Sequence, residues 1–255
     1  MIVPDWPAPP NVGSLLSLRE GGVSRAPFDS LNLGDHVGDD PAAVAENRRR
    51  FAAAIAARPV FLRQVHGNRV VRLDRASKDG LEADACWTRE PGVACTIMVA
   101  DCLPVLLADR EGRAVAAAHC GWRGLAGQEG RGVLEVLWES FWPQLAATPG
   151  EAAPRTLAWL GPCIGPGAFE VGPEVKAAFE ASSPGASMRF RLAPSGQWLA
   201  DLPGLARDRL RALDITRHYG NDGSADWCTV TDPSRFFSHR RDRRSGRFAA
   251  SIWLA

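Results

Sequence analysis

One segment of this 255-residue chain constrains its fold more than any other: Ala100-Asp-Cys-Leu-Pro-Val-Leu-Leu-Ala-Asp-Arg-Glu-Gly-Arg-Ala-Val-Ala-Ala-Ala-His-Cys-Gly-Trp-Arg-Gly124. Leu103–Ala108 and Arg113–Ala118 are apolar runs of strand length, and Asp109-Arg-Glu-Gly112 between them supplies turn chemistry, so the segment reads as a β-hairpin. A loop at those positions sets Ala108 opposite Arg113, Val105 opposite Ala116 and Cys102 opposite His119. Directly opposed residues share one side of a sheet, with Cβ atoms roughly 4.5–5.5 Å apart. At that separation a thiolate and an imidazole can share a metal ion or act as a nucleophile–base pair. A slip of one residue would send the two to opposite faces.

The remaining chain surrounds this hairpin with short strands and helices. Asp40 caps a helix that has Pro41 in its first turn and an alanine-rich run to Ala56. Pro59–Gln64 and Arg69–Leu73 read as strands around a His66-Gly-Asn68 turn, and Val93–Ala100 as a strand leading into Cys102. A helix is expected from the Gly121-Trp-Arg-Gly124 turn to Trp142, a strand over Thr156–Leu160, and helices near Pro173–Ala181 and Pro203–Leu213. Arg235–Arg241 and Arg247–Leu254 read as a second hairpin. No repeat or linker divides the chain, and its 45% hydrophobic content is enough for a large core. The expectation is one α+β domain over residues 1–255 with a mixed β-sheet and flanking helices.

A net charge of +1 argues against a protein that coats nucleic acid. The start, Met1-Ile-Val-Pro-Asp-Trp-Pro, has no secretory apolar region, and no run is long enough to span a bilayer, so a cytoplasmic location is expected. The six cysteines form no CxxC pair, which suits free thiols in a reducing compartment.

His66 joins Cys102 and His119 as a third candidate ligand at a strand-to-turn junction, where a rigid strand holds a side chain that the loop leaves accessible. A His/Cys/His set leaves a fourth position open, the catalytic pattern for zinc. Blander roles stand beside it: Cys102 as a small buried hydrophobe, His66 as a surface turn residue, His119 as a helix cap. Asp101 could orient His66 or His119, or serve the turn. Arg235, Arg240, Arg241, Arg243, Arg244 and Arg247 form a basic cluster whose forks suit phosphate or carboxylate. Arg240 and Arg241, beside Ser238 and His239, are the stronger candidates, and Arg243 and Arg244 suit a solvated hairpin. The loop Gly161-Pro-Cys-Ile-Gly-Pro-Gly167 permits close backbone approach but lacks a Walker pattern.

Gln64-Val-His-Gly67, Ala83-Asp-Ala85, Ala100-Asp-Cys-Leu-Pro104, Ala118-His-Cys-Gly-Trp-Arg-Gly124, Gly161-Pro-Cys-Ile-Gly165 and Phe236-Phe-Ser-His-Arg-Arg-Asp242 occur in order, preceded by Gly21-Gly-Val-Ser24 and Ser30-Leu-Asn-Leu-Gly34. Together they resemble the YfiH-like family, also called the laccase-domain, multicopper polyphenol oxidase or peptidoglycan editing factor family. The resemblance implies a zinc site on His66, Cys102 and His119, and phosphorolysis of adenosine, inosine and methylthioadenosine, with adenosine deamination as a further activity. Purine nucleosides and phosphate are then the partners, with no nucleic acid and no membrane. Cys102, His119, His66 and Asp101 carry catalysis on this reading, and Arg240, Arg241, His239, Asn32 and His36 bind substrate or phosphate. Asp101, His36 and His239 are the candidates for proton transfer. Departures from the family pattern (Cys120, Gln128-Glu129 and Cys86-Trp87) leave the three ligands in place. Five histidines cannot populate a blue-copper site and a trinuclear cluster, so any copper-dependent phenol oxidation is a minor activity. A metal-free cysteine hydrolase acting on a cell-wall precursor, with Cys102 as nucleophile and His119 as base, remains the main rival. A module binding nucleic acid through Arg235–Arg247 is weaker.

Overall fold

Successive side chains leave a strand on opposite faces, so alternation along the apolar strands decides how the layers stack. The computed structural model describes residues 1–255, except for the side chain of Pro184. Its strands are β1 (Val12–Leu16), β2 (Arg58–Phe61), β3 (Val70–Leu73), β4 (Ala85–Thr88), β5 (Val93–Val99), β6 (Leu103–Asp109), β7 (Val115–Cys120), β8 (Thr156–Leu160), β9 (Glu170–Val171), β10 (Phe190–Leu192), β11 (Trp198–Ala200), β12 (Arg217–Gly220) and β13 (Phe248–Leu254). The helices are α1 (Pro41–Ala54), α2 (Trp122–Ala126), α3 (Val133–Phe141), α4 (Pro149–Ala152), α5 (Pro173–Glu180), α6 (Leu202–Ala212) and α7 (His239–Asp242). A six-stranded sheet runs β12-β8-β6-β7-β4-β3, a four-stranded sheet β1-β13-β5-β2, and a small sheet β10-β11-β9. Both larger sheets mix parallel and antiparallel pairs, as the α+β expectation requires.

On β6, Val105 and Leu107 pack with the helical layer of α2, α3, α5 and α6, while Leu106 and Ala108 face the four-stranded sheet. Cys95, Ile97 and Val99 of β5 meet them from that sheet, and Ala94 and Met98 turn outward to Phe51 of α1 and to Ile55 beyond it. The layers are therefore α1, four-stranded sheet, six-stranded sheet, then α2–α6 with the small sheet. Strands β5, β6 and β7 are buried on both faces, and each fully buried leucine such as Leu106 contributes about 1.5–3 kcal/mol. Among the described residues no helix is long and apolar enough to cross a membrane.

The central hairpin forms, but its register differs by two residues from the expected one: Val105 pairs with Ala118 and Pro104 with His119. Asp109 is the cause. Its buried carboxylate accepts from the Arg113 backbone N–H and guanidinium, and its own N–H donates to the Ala114 carbonyl, so Asp109 closes the strand and Arg110–Arg113 make the turn. A shift of two preserves parity, and Cys102 and His119 stay on one face.

Three other expectations change. The helix expected up to Trp142 is broken into α2 and α3 where Gly127 takes φ 66° and caps α2, and Glu135 then reaches back to the Gly132 N–H to start α3. Strands β2 and β3 do not pair; they lie in different sheets, so the His66 turn is a crossover between layers. The C-terminal hairpin is absent as well. Ser238 caps the short α7, and Arg241 occupies the carbonyls of Thr229, Val230 and Phe236, while β13 inserts between β1 and β5.

Candidate metal centre and its pocket

Two connections cross from the four-stranded to the six-stranded sheet at the same end of the sandwich: Gln64–Asn68 after β2, and Ala100–Cys102 between β5 and β6. The first is pinned to the second because Gln64 pairs with the Met98 backbone like an extra strand residue, through two hydrogen bonds of 2.8 Å. His66 sits in the first connection, Cys102 in the second, and His119 on β7 beneath them. One ligand atom from each lies within 4.8 Å of the others, with Cys102 Sγ 3.8 Å from His66 Nε2. Tetrahedral bonds of about 2.0 Å to nitrogen and 2.3 Å to sulfur place neighbouring ligand atoms about 3.5 Å apart, so this donor set fits a zinc-sized ion. Gly121 keeps the centre open: a Cβ there would lie 3.0 Å from both Cys102 Sγ and His66 Cδ2.

Asp84, which sequence reasoning did not place in the site, organises it. Its fully buried carboxylate accepts from His119 Nδ1 at 2.8 Å and from the backbone N–H groups of Val65, His66 and Gly67 at 3.2, 2.9 and 2.8 Å. These bonds fix His119 with Nε2 free for a ligand and hold His66 at φ 61°, a conformation worth about 1–3 kcal/mol of strain unless its surroundings enforce it. Burial would raise the Asp84 carboxyl, but His119 and the backbone donors keep it below its ordinary range. The available signal was an acid between two apolar residues in Ala83-Asp-Ala85, since a buried carboxylate must find partners.

Electrostatics favour the thiolate. Burial alone would raise the Cys102 thiol, yet His119 and then His66 bring it down to about 6. Burial also works against a charged His119, and Cys102 and Asp84 overcome it, pushing the imidazole up to about 9. A metal ion held at His119 Nε2 would take the place of that proton.

Asp101 does not touch His66 or His119. It stands at φ 94°, with its carboxylate accepting from the Thr229 hydroxyl and the Arg240 backbone N–H, both at 2.6 Å. It therefore ties the α7 segment to the site.

The centre forms the floor of a cavity of about 430 Å³, a size suited to a small ligand. Its lining combines the apolar Phe169, Ile164 and Leu202 with Arg123, Arg240, Arg243, Arg247, His36 and His239, and Arg240 lies over the Phe169 ring at 5.6 Å. Three of the proposed substrate-binding residues, His36, His239 and Arg240, do line it. Two do not. Arg241 spends its guanidinium on backbone carbonyls and Asp242, and Asn32 is fully buried, with its amide bonded to Gly34, Asp39 and the Arg247 N–H. Arg243, read from sequence as solvated, and Arg247 and Arg123 take their place in the lining.

The sequence profile described as multi-copper polyphenol oxidoreductase laccase matches residues 14–255. The chain is 51% identical over 256 residues to a Pseudomonas aeruginosa protein named purine nucleoside phosphorylase, covering 99% of this chain and 98% of that one. Purine nucleoside phosphorylase YfiH of Escherichia coli is 46% identical over 256 residues, covering 100% and 98%. Among solved structures, a Neisseria meningitidis protein of family DUF152 superposes with a TM-score of 0.88 at 43% identity, over 99% of this chain and 98% of that one. YlmD from Geobacillus stearothermophilus gives 0.83 at 31% identity, over 96% and 92%.

Proposed function

This chain belongs to the multi-copper polyphenol oxidoreductase laccase family, and from that premise we propose that it is a purine nucleoside phosphorylase acting on adenosine, inosine and methylthioadenosine, with adenosine deamination as a second activity. The observation that carries the reading is the His66–Cys102–His119 group opening into a pocket lined by both apolar residues and arginines. That lining suits both an uncharged purine and phosphate. Zinc is the metal proposed, with copper as the alternative. Held by His66, Cys102 and His119, it would supply Lewis-acid polarisation of an oxygen at the open fourth position.

The chain's own residues account for the remaining roles. Phe169, Ile164 and Leu202 hold the base and exclude water, while the arginines neutralise phosphate as it approaches the anomeric carbon. His36, whose pKa burial and then Arg247 lower from the ordinary value, is the first candidate to accept a proton. His239 at the start of α7 is the second candidate for proton transfer at the leaving purine. Asp101, its two oxygens already occupied, acts by positioning Arg240. The free thiols suit a cytoplasmic location.

Chromatography of adenosine incubated with purified protein tests this reading. Adenine and ribose 1-phosphate formed only with phosphate establish phosphorolysis, and inosine formed without it establishes deamination. No product in either condition refutes the proposal. Elemental analysis identifies the metal, and a Cys102→Ala protein that keeps both metal and turnover would refute the ligand assignment. One observation favours a second reading: Cys102 lies beside two imidazoles and opens on the pocket, as a metal-free nucleophile would. Inactivation by iodoacetamide without loss on chelation would select it.

A further inference from the structure

Ser30-Leu-Asn-Leu-Gly34 contributes no side chain to the metal centre, yet it is built around one residue of the pocket. Asn32 Oδ1 accepts the Arg247 backbone N–H at 2.8 Å, and the Leu33 N–H donates to the Arg247 carbonyl at 3.0 Å. Gly34 leaves room for the arginine stem: a Cβ there would lie 2.7 Å from Arg247 Cγ. The loop thus feeds Arg247 through a gap into the cavity that also holds Cys102, His36 and Arg243. Its Nη1 donates to the carbonyls of Ser245 and Gly246, at 2.9 and 3.0 Å. Among the described residues, Nε and Nη2 have no hydrogen-bond acceptor and no carboxylate pairs with the guanidinium. Burial pulls its pKa down, and Cys102 and Asp101 partly offset this, which places the cation within electrostatic reach of the centre.

The Arg247 guanidinium is half-buried in the cavity with no carboxylate beside it, so its free edge is available to a ligand that supplies the negative charge. We infer that Arg247 is the phosphate-holding and specificity-determining residue of this pocket, its free Nε–Nη2 edge gripping two phosphate oxygens, with His36 and Arg243 beside it. The inference rests on the phosphorolysis reading and names the residue that selects its co-substrate. Arg243 lines the same cavity but is exposed, and Arg240 and Arg123 have other contacts. Arg240 lies over Phe169 at 5.6 Å and donates to the Glu170 carbonyl, Arg123 lies over Trp122 at 4.5 Å, and Arg241 is outside the pocket. A fork matches two oxygens of one phosphate and leaves a third free to attack. That oxygen bonds to the anomeric carbon as the glycosidic C–N bond breaks. The bonding pair leaves with the purine, and the proton of the phosphate hydroxyl ends on the purine nitrogen.

The test is steady-state kinetics of metal-loaded, full-length protein with adenosine and inorganic phosphate. Arg247→Met should raise the KM for phosphate about 10- to 100-fold, the loss expected for charge-assisted hydrogen bonds, and leave the KM for adenosine nearly unchanged. Arg247→Lys should fall between, and Gly34→Ala, which displaces the stem but keeps the charge, should shift the phosphate KM the same way. Arg244→Gln, over Phe28 and outside the cavity, should match the wild type. An unchanged phosphate KM in Arg247→Met, or equal rises for both substrates, overturns the assignment. If that variant does not fold, a wild-type phosphate KM in Arg247→Lys and Gly34→Ala overturns it. If the wild type shows no phosphate-dependent turnover, the phosphorolysis reading fails, and equilibrium dialysis with labelled inorganic phosphate decides Arg247 separately. Binding lost in Arg247→Met supports the site, and equal binding or none in the wild type ends it.

Discussion

Replacing Asp84 by asparagine probes the organisation of the centre most directly, because the substitution changes almost no volume. One carboxylate oxygen accepts from the His66 N–H and His119 Nδ1, and the other from the N–H groups of Val65 and Gly67. The amide puts an NH2 group at one of these two positions. Whichever way it turns, two N–H donors in a fully buried place face a donor instead of an acceptor. Each stranded donor costs about 1–3 kcal/mol, so the loss is about 2–6 kcal/mol. For a chain of this size a loss of about 3 kcal/mol lowers Tm by about 6–12 °C. If the amide turns its NH2 toward His119, the ring loses its anchor; if not, the His66 turn does. Either way zinc affinity should fall about 10- to 100-fold. Thermal unfolding of chelator-treated protein reads the first effect, and competition with a chromophoric zinc chelator reads the second. A Tm within about 1 °C of wild type, or an affinity changed by less than about twofold, would refute the orienting role given to Asp84.

Other outcomes follow from the same geometry. Gly121 has φ −67° and ψ 155°, which alanine adopts freely, so Gly121→Ala should cut metal content after gel filtration through its Cβ alone and leave the Tm of chelated protein close to wild type. Arg241→Ala removes the donors to the Thr229, Val230 and Phe236 carbonyls and should cost about 2–4 kcal/mol in urea unfolding, with a near-wild-type phosphate KM. Burial would raise the Asp232 carboxyl, but hydrogen bonds from Ser234 and Arg235 win and hold it at about 2. Because the folded value lies below the unfolded one of about 3.9, its contribution is present above that pH and is lost as pH falls through about 2. Asp232→Asn should flatten acid unfolding in that window, and an unchanged profile would contradict the sign.

Local pattern carried a good part of the structure. The Asp40 cap with Pro41 behind it starts α1 where expected, since the Asp40 side chain accepts the Ala42 N–H without help from distant residues. Apolar runs marked β5, β6 and β7, and hairpin parity was enough to bring Cys102 and His119 to one face. The register itself was not legible, because it turned on whether Asp109 ends a strand or opens a turn. Its salt bridge to Arg113 and the fully buried setting of its side chain decide that. Strands β1, β4 and β9–β12 were also missed: all are five residues or shorter, and β1 and β12 are held by partners far away in the chain.

The sequence by itself determined α1, the central strands β5–β7, the α+β character and the three residues of the candidate metal centre, because period, caps and turn chemistry act over a few residues. Only the tertiary structure decided which sheet each strand joins, that Asp84 and not Asp101 holds His119, and that Asn32 and Gly34 serve Arg247. The contact between Asn32 and the Arg247 N–H spans 215 positions, and the one between Asp101 and the Arg240 N–H spans 139. No local pattern encodes a carboxylate's partner at that range; the packing of two sheets, which buries the acid and the arginine and obliges each to find a counterpart, selects it.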